Sequence, residues 1–375
     1  MQTDVQPFRA IAISARAYAL QAEGRSIIHM EFGQPSTGAP PSAITTAHRV
    51  LDHDAMGYWE SPALRQRLAR HYHERYKVDL DANRFALTCG ASPALVLALL
   101  TRFSHGARIA LARPGYVAYR NTLRALDLVP IEIACGPSTR YQLTADLIAG
   151  IDPAPDGVIV ASPANPTGTI IDASGLAAIA AVCRNRNIAI ISDEIYHNLS
   201  YGPPTHSLLE FEPDAFVINS FSKYFSMAGW RLGWIVTPQG QTTRARALLG
   251  NLFLSAPSLS QHAALAAFDD RDVLEGHISV YRRNRQHLIN ALPQMGISSI
   301  APPDGAFYIY ADVSHLTSDS FSLCKKLLEE TGIALAPGVD FDPVDGHRFV
   351  RISFAVSEAE TETAIGRLQD WLHKQ

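Results

Sequence analysis

The sequence predicts an α/β protein with a large three-layer α/β/α domain, built on a mostly parallel seven-stranded sheet, and a smaller α+β domain. Three observations lead to this prediction. Short, almost continuously apolar runs alternate with longer amphipathic runs between about residues 40 and 270. This alternation stops in the last hundred residues. The length of 375 residues also exceeds what one hydrophobic core usually supports.

The short apolar runs are the predicted strands. They lack the alternation of apolar and polar residues that marks a strand with one solvated face. Both faces are therefore expected to be covered, as they are in a parallel sheet. The runs are residues 85–88, 108–111, 129–133, 158–161, 188–191, 216–219 and 232–236.

Helix start signals lie between these runs. The pairs Ser61-Pro62 and Ser92-Pro93 each place a residue that favours the N-cap before a proline, which is favoured at the first helical position. Each pair is therefore expected to begin a helix that covers the sheet.

The domain division follows from where the alternation begins and ends. Residues 40–270 are predicted to form the large domain, and residues 1–39 and 271–375 the smaller one. The smaller domain is expected to contain helices at 275–292, 321–331 and 358–373, and strands at 306–311 and 349–354.

Composition argues against several classes of protein. The net charge of −4, without a basic block, argues against nucleic acid as the main partner. No apolar run is long enough to span a membrane, and residues 1–21 do not resemble a signal peptide. The four cysteines are scattered and form no CxxC pair, so neither a metal site nor a disulfide framework is predicted. A cytoplasmic location is expected.

A lysine with hydroxyl neighbours follows one predicted strand. The segment is Ser220-Phe221-Ser222-Lys223, and Arg231 comes eight residues later. A lone segment of this kind is more often a surface loop. The chemical interpretation is an imine-forming amine beside an anion pocket, because burial and nearby cations lower the pKa of a lysine.

Three further loops follow predicted strands. Asn165-Pro166-Thr167-Gly168 is an ordinary turn signal, and Asp193 after the next strand is as easily a helix cap. Gly90-Ala91-Ser92 places small residues where a helix begins, which lets backbone N–H groups approach an anion. Because parallel strands bind ligands beyond their carboxyl ends, these loops are candidate binding segments.

In their order and spacing, these segments resemble the class I and II aminotransferases, which are pyridoxal-phosphate enzymes of fold type I. The resemblance covers nearly the whole chain. It is carried by Gly33-Gln34-Pro35, Tyr58, Gly90-Ala91-Ser92, Tyr116, Asn165-Pro166-Thr167-Gly168, Asp193-Glu194-Ile195-Tyr196, Ser220-Phe221-Ser222-Lys223, Gly229-Trp230-Arg231, Pro303-Asp304-Gly305-Ala306-Phe307-Tyr308 and Val350-Arg351-Ile352-Ser353-Phe354.

The resemblance implies pyridoxal 5'-phosphate as the cofactor and gives roles to residues around its ring. Lys223 would hold the cofactor as a Schiff base and carry the Cα proton. Asp193 would pair with the ring nitrogen. Asn165 and Tyr196 would hydrogen-bond the phenolic oxygen, and Tyr116 would lie against the ring.

The resemblance also implies a phosphate site, a substrate site and a dimer. Arg351 would bind the α-carboxylate of the substrate, with Asn165 and Gly33 beside it. Tyr58 would reach the phosphate from a partner subunit, which implies a homodimer with shared active sites. The other phosphate ligands would be Ala91, Ser92, Ser220, Ser222 and Arg231.

Two positions depart from the pattern of the family. Tyr116 stands where several relatives have tryptophan, and Asp342 stands where relatives often have glycine. The first changes the surface against which the ring would stack. The second changes the loop before Arg351. Both leave the choice of substrate open.

The predicted reaction moves an amino group from an L-amino acid to a 2-oxo acid, through the Lys223 aldimine and pyridoxamine phosphate. Another pyridoxal-phosphate reaction, such as that of a carbon–sulfur β-lyase, would use the same residues and remains an alternative. A regulator with this fold behind a DNA-binding domain is less expected, because the enzyme-like segments nearly fill the chain. A nucleotide-dependent oxidoreductase is disfavoured because no GxGxxG follows the first strand.

Overall fold

The computed structural model describes residues 5–374. The α-helices of this part are α1 (Arg9–Ala22), α2 (Pro41–His53), α3 (Pro62–Tyr76), α4 (Ala91–Arg102), α5 (Val117–Ala125), α6 (Ala145–Ala149), α7 (Ala173–Asn185), α8 (Thr242–Leu252), α9 (Ser258–Ala267), α10 (Arg271–Ala291), α11 (Ser320–Thr331) and α12 (Glu358–Leu372). The strands are β1 (Ile28–His29), β2 (Phe85–Thr88), β3 (Arg108–Arg113), β4 (Val129–Ala134), β5 (Gly157–Ala161), β6 (Ala189–Asp193), β7 (Phe216–Ser220), β8 (Gly233–Val236), β9 (Tyr308–Asp312), β10 (Ile333–Ala334), β11 (Ala336–Pro337) and β12 (Phe349–Ser353).

Within residues 5–374, the main sheet has seven strands in the order β2-β8-β7-β6-β5-β3-β4. The pairs from β7 to β4 are parallel, and β8 runs antiparallel to both of its neighbours. The predicted strand runs coincide with these strands to within two residues at either end. The predicted α/β class and the mostly parallel seven-stranded sheet are confirmed.

Successive side chains of the strands enter two different cores, because neighbouring residues of a strand point to opposite faces. Val158 and Val160 pack with helices α2, α3, α7 and α9, whereas Ile159 packs with α4, α5 and α8. Helices therefore cover both faces of the sheet. This explains why the strands are continuously apolar.

A further core lies between the ends of the chain. It joins α1, α10, α11 and α12 to the antiparallel sheet β11-β12-β9 and to the parallel pair β1-β10. Its side chains come mostly from before residue 31 and after residue 277, although Tyr196 and Leu199 also contribute. The exact division at residues 40 and 271 remains a prediction.

Helix α3 begins as predicted, since Ser61 Oγ accepts a hydrogen bond of 3.1 Å from the backbone N–H of Leu64. Helix α4 begins earlier than predicted. Its N-cap is Gly90, with a φ of 104°, so Ser92 and Pro93 already lie in the first turn. Proline is tolerated there because the first-turn N–H groups have no partner within the helix.

The ends of the chain differ more from the prediction. Helix α10 begins at Arg271, four residues before the predicted start, and α1 and α2 were not predicted. Most of the segment from Met1 to Gln21 is therefore helical, although its first four residues lie outside the described residues. Between residues 5 and 374, no helix combines the length and apolar character that a membrane crossing needs.

Asp342, one of the two departures from the family pattern, is buried and accepts several hydrogen bonds. Its Oδ1 accepts a hydrogen bond of 2.8 Å from Arg113 Nη1, at the end of β3. The same oxygen accepts from the backbone N–H groups of Val344 and Asp345, at 2.9 and 3.0 Å. The carboxylate therefore fixes the loop before β12 and joins it to the main sheet.

We expect Asp342→Ala to lower the free energy of unfolding by about 3 kcal/mol, because it leaves the poorly exposed guanidinium of Arg113 without its main partner. Urea unfolding followed by tryptophan fluorescence measures this change. The control is Asp345→Ala. The Asp345 side chain is 55% exposed and lies 3.5 Å from Arg113, so its loss should change stability by about 0.5 kcal/mol or less. Equal effects of the two substitutions would contradict this role for Asp342.

Candidate active site

A cavity of about 260 Å³ lies beyond the carboxyl ends of β5, β6 and β7. The parallel pairing of these strands brings the segments that follow them to one edge of the sheet. The cavity also reaches residues of α1, α4, α5, β9 and β12. Among its lining residues are these sequence-predicted ones: Gly33, Ala91, Ser92, Tyr116, Asn165, Asp193, Tyr196, Ser222, Lys223, Arg231 and Arg351.

Lys223 follows β7 and projects its amine into the cavity, where Nζ donates a hydrogen bond to the carbonyl oxygen of Gly33. Burial lowers the pKa of this amine to about 8. The positive charge of Arg351 acts in the same direction, while the carboxylate of Asp193 opposes it. The amine therefore loses its proton much nearer neutral pH than an exposed lysine does, as a nucleophile or base requires.

Asp193 is the last residue of β6 and is buried in the cavity wall. Its Oδ2 accepts a hydrogen bond of 2.5 Å from the Tyr119 hydroxyl, and its Oδ1 accepts one of 3.1 Å from the backbone N–H of Ile195. Burial raises the pKa of this carboxyl, and the two hydrogen bonds and the charge of Lys223 oppose that rise. A buried carboxylate held from both sides is suited to pair with a cation in the cavity.

The hydrogen bond from Tyr119 to Asp193 was not predicted from the sequence. The two residues lie 74 positions apart in the chain, so no local pattern connects them. A signal was present nonetheless. Tyr119 follows Tyr116 by three residues at the start of α5, and the two rings pack edge to face at 5.4 Å. Residues three apart share a helix face, so Tyr119 was a candidate once Tyr116 had been chosen.

Arg351 lies in the middle of β12, and only 2% of its surface is exposed. Its Nη1 donates to Asn165 Oδ1 at 2.9 Å, and its Nη2 donates to the carbonyl oxygen of Glu31. Nε has no hydrogen-bond partner in the part of the chain that the structure describes, and the guanidinium carbon lies 4.4 Å from the centre of the Tyr308 ring. Among the described residues no carboxylate pairs with this cation. A buried guanidinium of this kind is suited to a carboxylate supplied by a ligand.

Tyr308 is a second residue that the sequence did not single out for the site, although it ends one of the segments that carry the resemblance. Its hydroxyl lies 2.6 Å from that of Tyr196. A Cβ atom on Gly33 would collide with the same hydroxyl, so the backbone needs glycine there. Tyr308 therefore holds Tyr196 and Gly33 in place beside the Arg351 guanidinium.

The start of α4 forms a corner suited to an anion. Its N-cap, Gly90, has no side chain to accept from the first-turn N–H groups, and the helix dipole adds partial positive charge. Arg231 lies against this corner, with its Nη2 3.2 Å from the Cys89 carbonyl oxygen. Ser92 and Ser222 line the same cavity. These groups match the oxygens and the charge of a phosphate.

Two predicted site residues are not among those that line the cavity. Ser220 is buried, and its hydroxyl lies 2.7 Å from that of Ser222 and donates to the Leu232 carbonyl oxygen at 2.9 Å. It therefore contacts the hydroxyl of Ser222 without lining the cavity itself. Tyr58 is 85% exposed, away from the cavity of its own chain. Its predicted role in a partner's site remains a prediction.

Further lining residues had no signal in the sequence. Helix α1, which was not predicted, supplies Ile11, and the segment before it supplies Phe8. Asp340 holds this helix start, since its carboxylate accepts from the backbone N–H groups of Arg9 and Ala10 at 2.9 and 2.8 Å. Phe8 and Ile11 thereby add an apolar wall to a site whose chemical groups come from the main sheet.

Comparisons with known proteins agree with this geometry. The sequence model of the family "Aminotransferase class I and II" matches residues 25–368. The chain is 43% identical to the valine–pyruvate aminotransferase of Mycobacterium tuberculosis, over 100% of this chain and 98% of that protein. It is 29% identical to an aspartate aminotransferase of Sulfurisphaera tokodaii, over 94% and 91% of the two chains.

Solved structures give the same result. A crystal structure of an aminotransferase from Mycobacterium tuberculosis matches with a TM-score of 0.97 and 43% identity, over 99% of this chain and 98% of the other. The aspartate aminotransferase of Thermus thermophilus with maleate matches with a TM-score of 0.91 and 26% identity, over 98% and 97%. The family model matches most of the chain, and the relatives align over nearly the whole length of both proteins. This protein therefore belongs to the class I and II aminotransferases and is a transaminase.

Proposed function

We propose that the enzyme uses pyridoxal 5'-phosphate, attached covalently to Lys223. Three features of the cavity support this proposal. The uncapped start of α4 with Arg231 fits a phosphate, and Lys223 has a pKa of about 8. The buried carboxylate of Asp193 fits a protonated ring nitrogen. When bound, the cofactor withdraws electrons from the Cα of the substrate.

Different side chains of the protein would then bind the substrate and transfer its proton. Arg351 binds the α-carboxylate, and its hydrogen bond to Asn165 fixes the plane of the guanidinium. The Lys223 amine takes the proton from Cα, which it can do because burial favours its neutral form. Orientation of the Cα–H bond by the carboxylate anchor supplies a large part of the rate acceleration.

We further propose that the donor is a neutral, branched aliphatic L-amino acid and that the acceptor is a small 2-oxo acid such as pyruvate. The observation that carries this proposal is the distribution of charge and apolar surface in the cavity. Among the described lining residues the cations are Lys223, Arg231 and Arg351, and the roles above occupy all three. The described part of this chain therefore offers no further cation in the cavity wall for a side-chain carboxylate. The name of the Mycobacterium tuberculosis relative, valine–pyruvate aminotransferase, supports the same choice.

The apolar wall gives this preference its physical basis. Phe8, Ile11 and Phe32 line the cavity. Burial of one methylene group against such a wall contributes about 0.8 kcal/mol. A side chain with three or four carbons would therefore gain affinity there, whereas a carboxylate would lose its water without gaining a partner.

The test is a set of half-reactions with the cofactor-loaded enzyme, followed by the change in cofactor absorbance. We expect kcat/KM for L-valine to exceed that for L-aspartate by about a hundredfold or more, since an unpaired carboxylate costs several kcal/mol. Lys223→Ala should lose the absorbance of the attached cofactor and nearly all turnover. Aspartate as the better donor would refute the donor proposal, and wild-type turnover by Lys223→Ala would refute the site.

The hydroxyl of Tyr119 should control how tightly the cofactor binds, because it holds the Asp193 carboxylate in place. We expect Tyr119→Phe to weaken cofactor affinity about tenfold, the usual effect of losing a hydrogen bond to a charged group. Equilibrium dialysis of the cofactor against the cofactor-free protein measures this.

Tyr310→Phe is the matched control for Tyr119→Phe. Tyr310 is also buried, but its hydroxyl has no hydrogen-bond partner among the described residues. Removing this hydroxyl should leave cofactor affinity unchanged. An equal loss in both variants would show that the contact between Tyr119 and Asp193 has no specific role.

We propose that the active form is a homodimer in which Tyr58 of each chain completes the phosphate site of the other. Tyr58 and its neighbour Trp59 form an exposed surface segment, and Leu51 and Leu254 are exposed as well. This surface is tied to the region of the site, because Ser258 Oγ donates to the Gly57 carbonyl oxygen and Cys89 Sγ donates to that of Ser255. A tyrosine this exposed is suited to reach a second chain.

Complementation between two inactive variants tests the shared site. Lys223→Ala and Tyr58→Ala are each expected to be impaired, but mixed dimers contain one complete site. After dissociation and reassociation, activity should return to about a quarter of wild type, since about half of the dimers are mixed. No recovery, or a fully active monomer in sedimentation, would contradict the shared site.

We also propose the two-domain division at residues 40 and 271 and a cytoplasmic location. The division is supported by the separate core formed by the two ends of the chain. The location is supported by the cysteines, which are free thiols at Cys89, Cys135, Cys183 and Cys324. Free, mostly buried thiols are typical of a reducing compartment.

A further inference from the structure

A second cavity, of about 320 Å³, lies between α3, the start of α10 and the segment that follows Lys223. It shares no lining residue with the active-site cavity. Its lining is basic and aromatic. It consists of Arg67, His71, Glu74, Arg75, Asn198, Tyr224, Phe225, Phe268, Arg271, Leu274 and Glu275.

The arginines come from two different helices. Arg67, His71 and Arg75 are spaced by four residues and share one face of α3, while Arg271 is the first residue of α10. The guanidinium carbon of Arg67 lies 4.1 Å from the centre of the Phe268 ring. Three guanidinium groups around one cavity repel each other, and this repulsion is relieved when an anion enters.

The two carboxylates of the cavity form a salt bridge with only one of these cations, Arg67, within the described part of the chain. Glu74 lies 3.2 Å from Arg67, and Glu275 accepts a hydrogen bond of 3.0 Å from the Tyr224 hydroxyl. Among the described residues, neither Arg75 nor Arg271 forms a salt bridge. Arg75 donates a hydrogen bond of 3.2 Å to a neutral group, the Thr205 hydroxyl. One guanidinium group on each helix therefore has no carboxylate partner among the described residues.

A partly buried histidine, His71, lies among these cations. Burial lowers the pKa of His71 to about 4, and the positive charges of Arg75 and Arg67 add to the effect. His71 is therefore neutral near pH 7. It can present a ring N–H to an oxygen without adding charge of its own.

We propose that this cavity is a binding site for a compact dianion, held between Arg75 on α3 and Arg271 on α10, with the Arg67 guanidinium beside them. A phosphate monoester and a short dicarboxylate share the required chemistry. Guanidinium groups bind both through paired N–H groups. Nothing in the proposed transamination uses this site, so it is independent of the donor and cofactor assignments.

The position of the site implies that a bound ion would stabilise the packing of two helices. It would join α3 to the start of α10, where Leu274 packs in the same core as α3, while the later turns of α10, from Ile278 on, enter the second core. Tyr224, in the cavity wall, directly follows Lys223. A dianion that bridges the two helices should therefore stabilise the start of α10, from which the helix continues into the second core.

The experiment is isothermal titration of inorganic phosphate, and in a second arm succinate, into the cofactor-loaded enzyme at constant ionic strength. The loaded cofactor fills the phosphate corner of the active site. We expect one saturable site per chain for the better of the two ligands. Arg75→Gln and Arg271→Gln should each weaken its binding about tenfold, as expected for the loss of one charge-assisted contact.

Arg282→Gln is the matched control, since Arg282 is an exposed arginine further along α10. It should change the dissociation constant less than twofold. Thermal unfolding without ligand should be alike in all variants, because Arg75 and Arg271 are exposed and form no salt bridge with the described residues. Crystals soaked in tungstate should show the metal between α3 and α10.

Three results would overturn the proposal. One is the absence of saturable binding for both ions up to about 50 mM, far above a specific affinity. Another is binding that neither arginine substitution weakens. The third is binding that an amino-acid substrate displaces and the arginine substitutions leave unchanged, which would place the ion at Arg351.

Discussion

The hydrogen bond between Arg351 Nη1 and Asn165 Oδ1, at 2.9 Å, joins the two main cores of the protein at the active site. Arg351 belongs to β12 of the second core, and Asn165 belongs to the loop after β5 of the main sheet. The cation is almost fully buried, so its position depends on these few partners. Any displacement of one core relative to the other would move the guanidinium that we propose as the anchor of the substrate carboxylate.

The charges around the cavity depend on this arrangement. Arg351 and burial together lower the pKa of Lys223, whereas Asp193 limits the effect. Asp193 in turn keeps its place through Tyr119. One small network therefore positions the Lys223 amine, the Asp193 carboxylate and the Arg351 guanidinium, the three groups to which we assign the main roles in the proposed reaction. The low dielectric of the cavity makes each contact stronger than it would be in water.

The fold also separates the residues of the proposed chemistry from those of the proposed donor selectivity. The loops at the carboxyl edge of the sheet supply Lys223, Asp193 and Asn165, whereas the N-terminal segment supplies Phe8 and Ile11. The edge of a parallel sheet is rigid, so it suits groups that must be positioned closely. The wall on α1 is held by the capping contact to Asp340, and it can vary without altering the reacting groups.

The sequence by itself determined the main sheet and the edge at which the active-site cavity lies. Continuous apolar runs identify strands that are covered on both faces, and parallel strands bring the segments after them together. It did not determine Tyr119 beside Asp193, Tyr308 beside Gly33, or the start of α4 at Ala91. The tertiary structure decided the first two, because they join residues far apart in the chain, such as the 74 residues between Tyr119 and Asp193. Local periodicity carries no information about which distant side chains meet, since that depends on how the helices pack against the sheet.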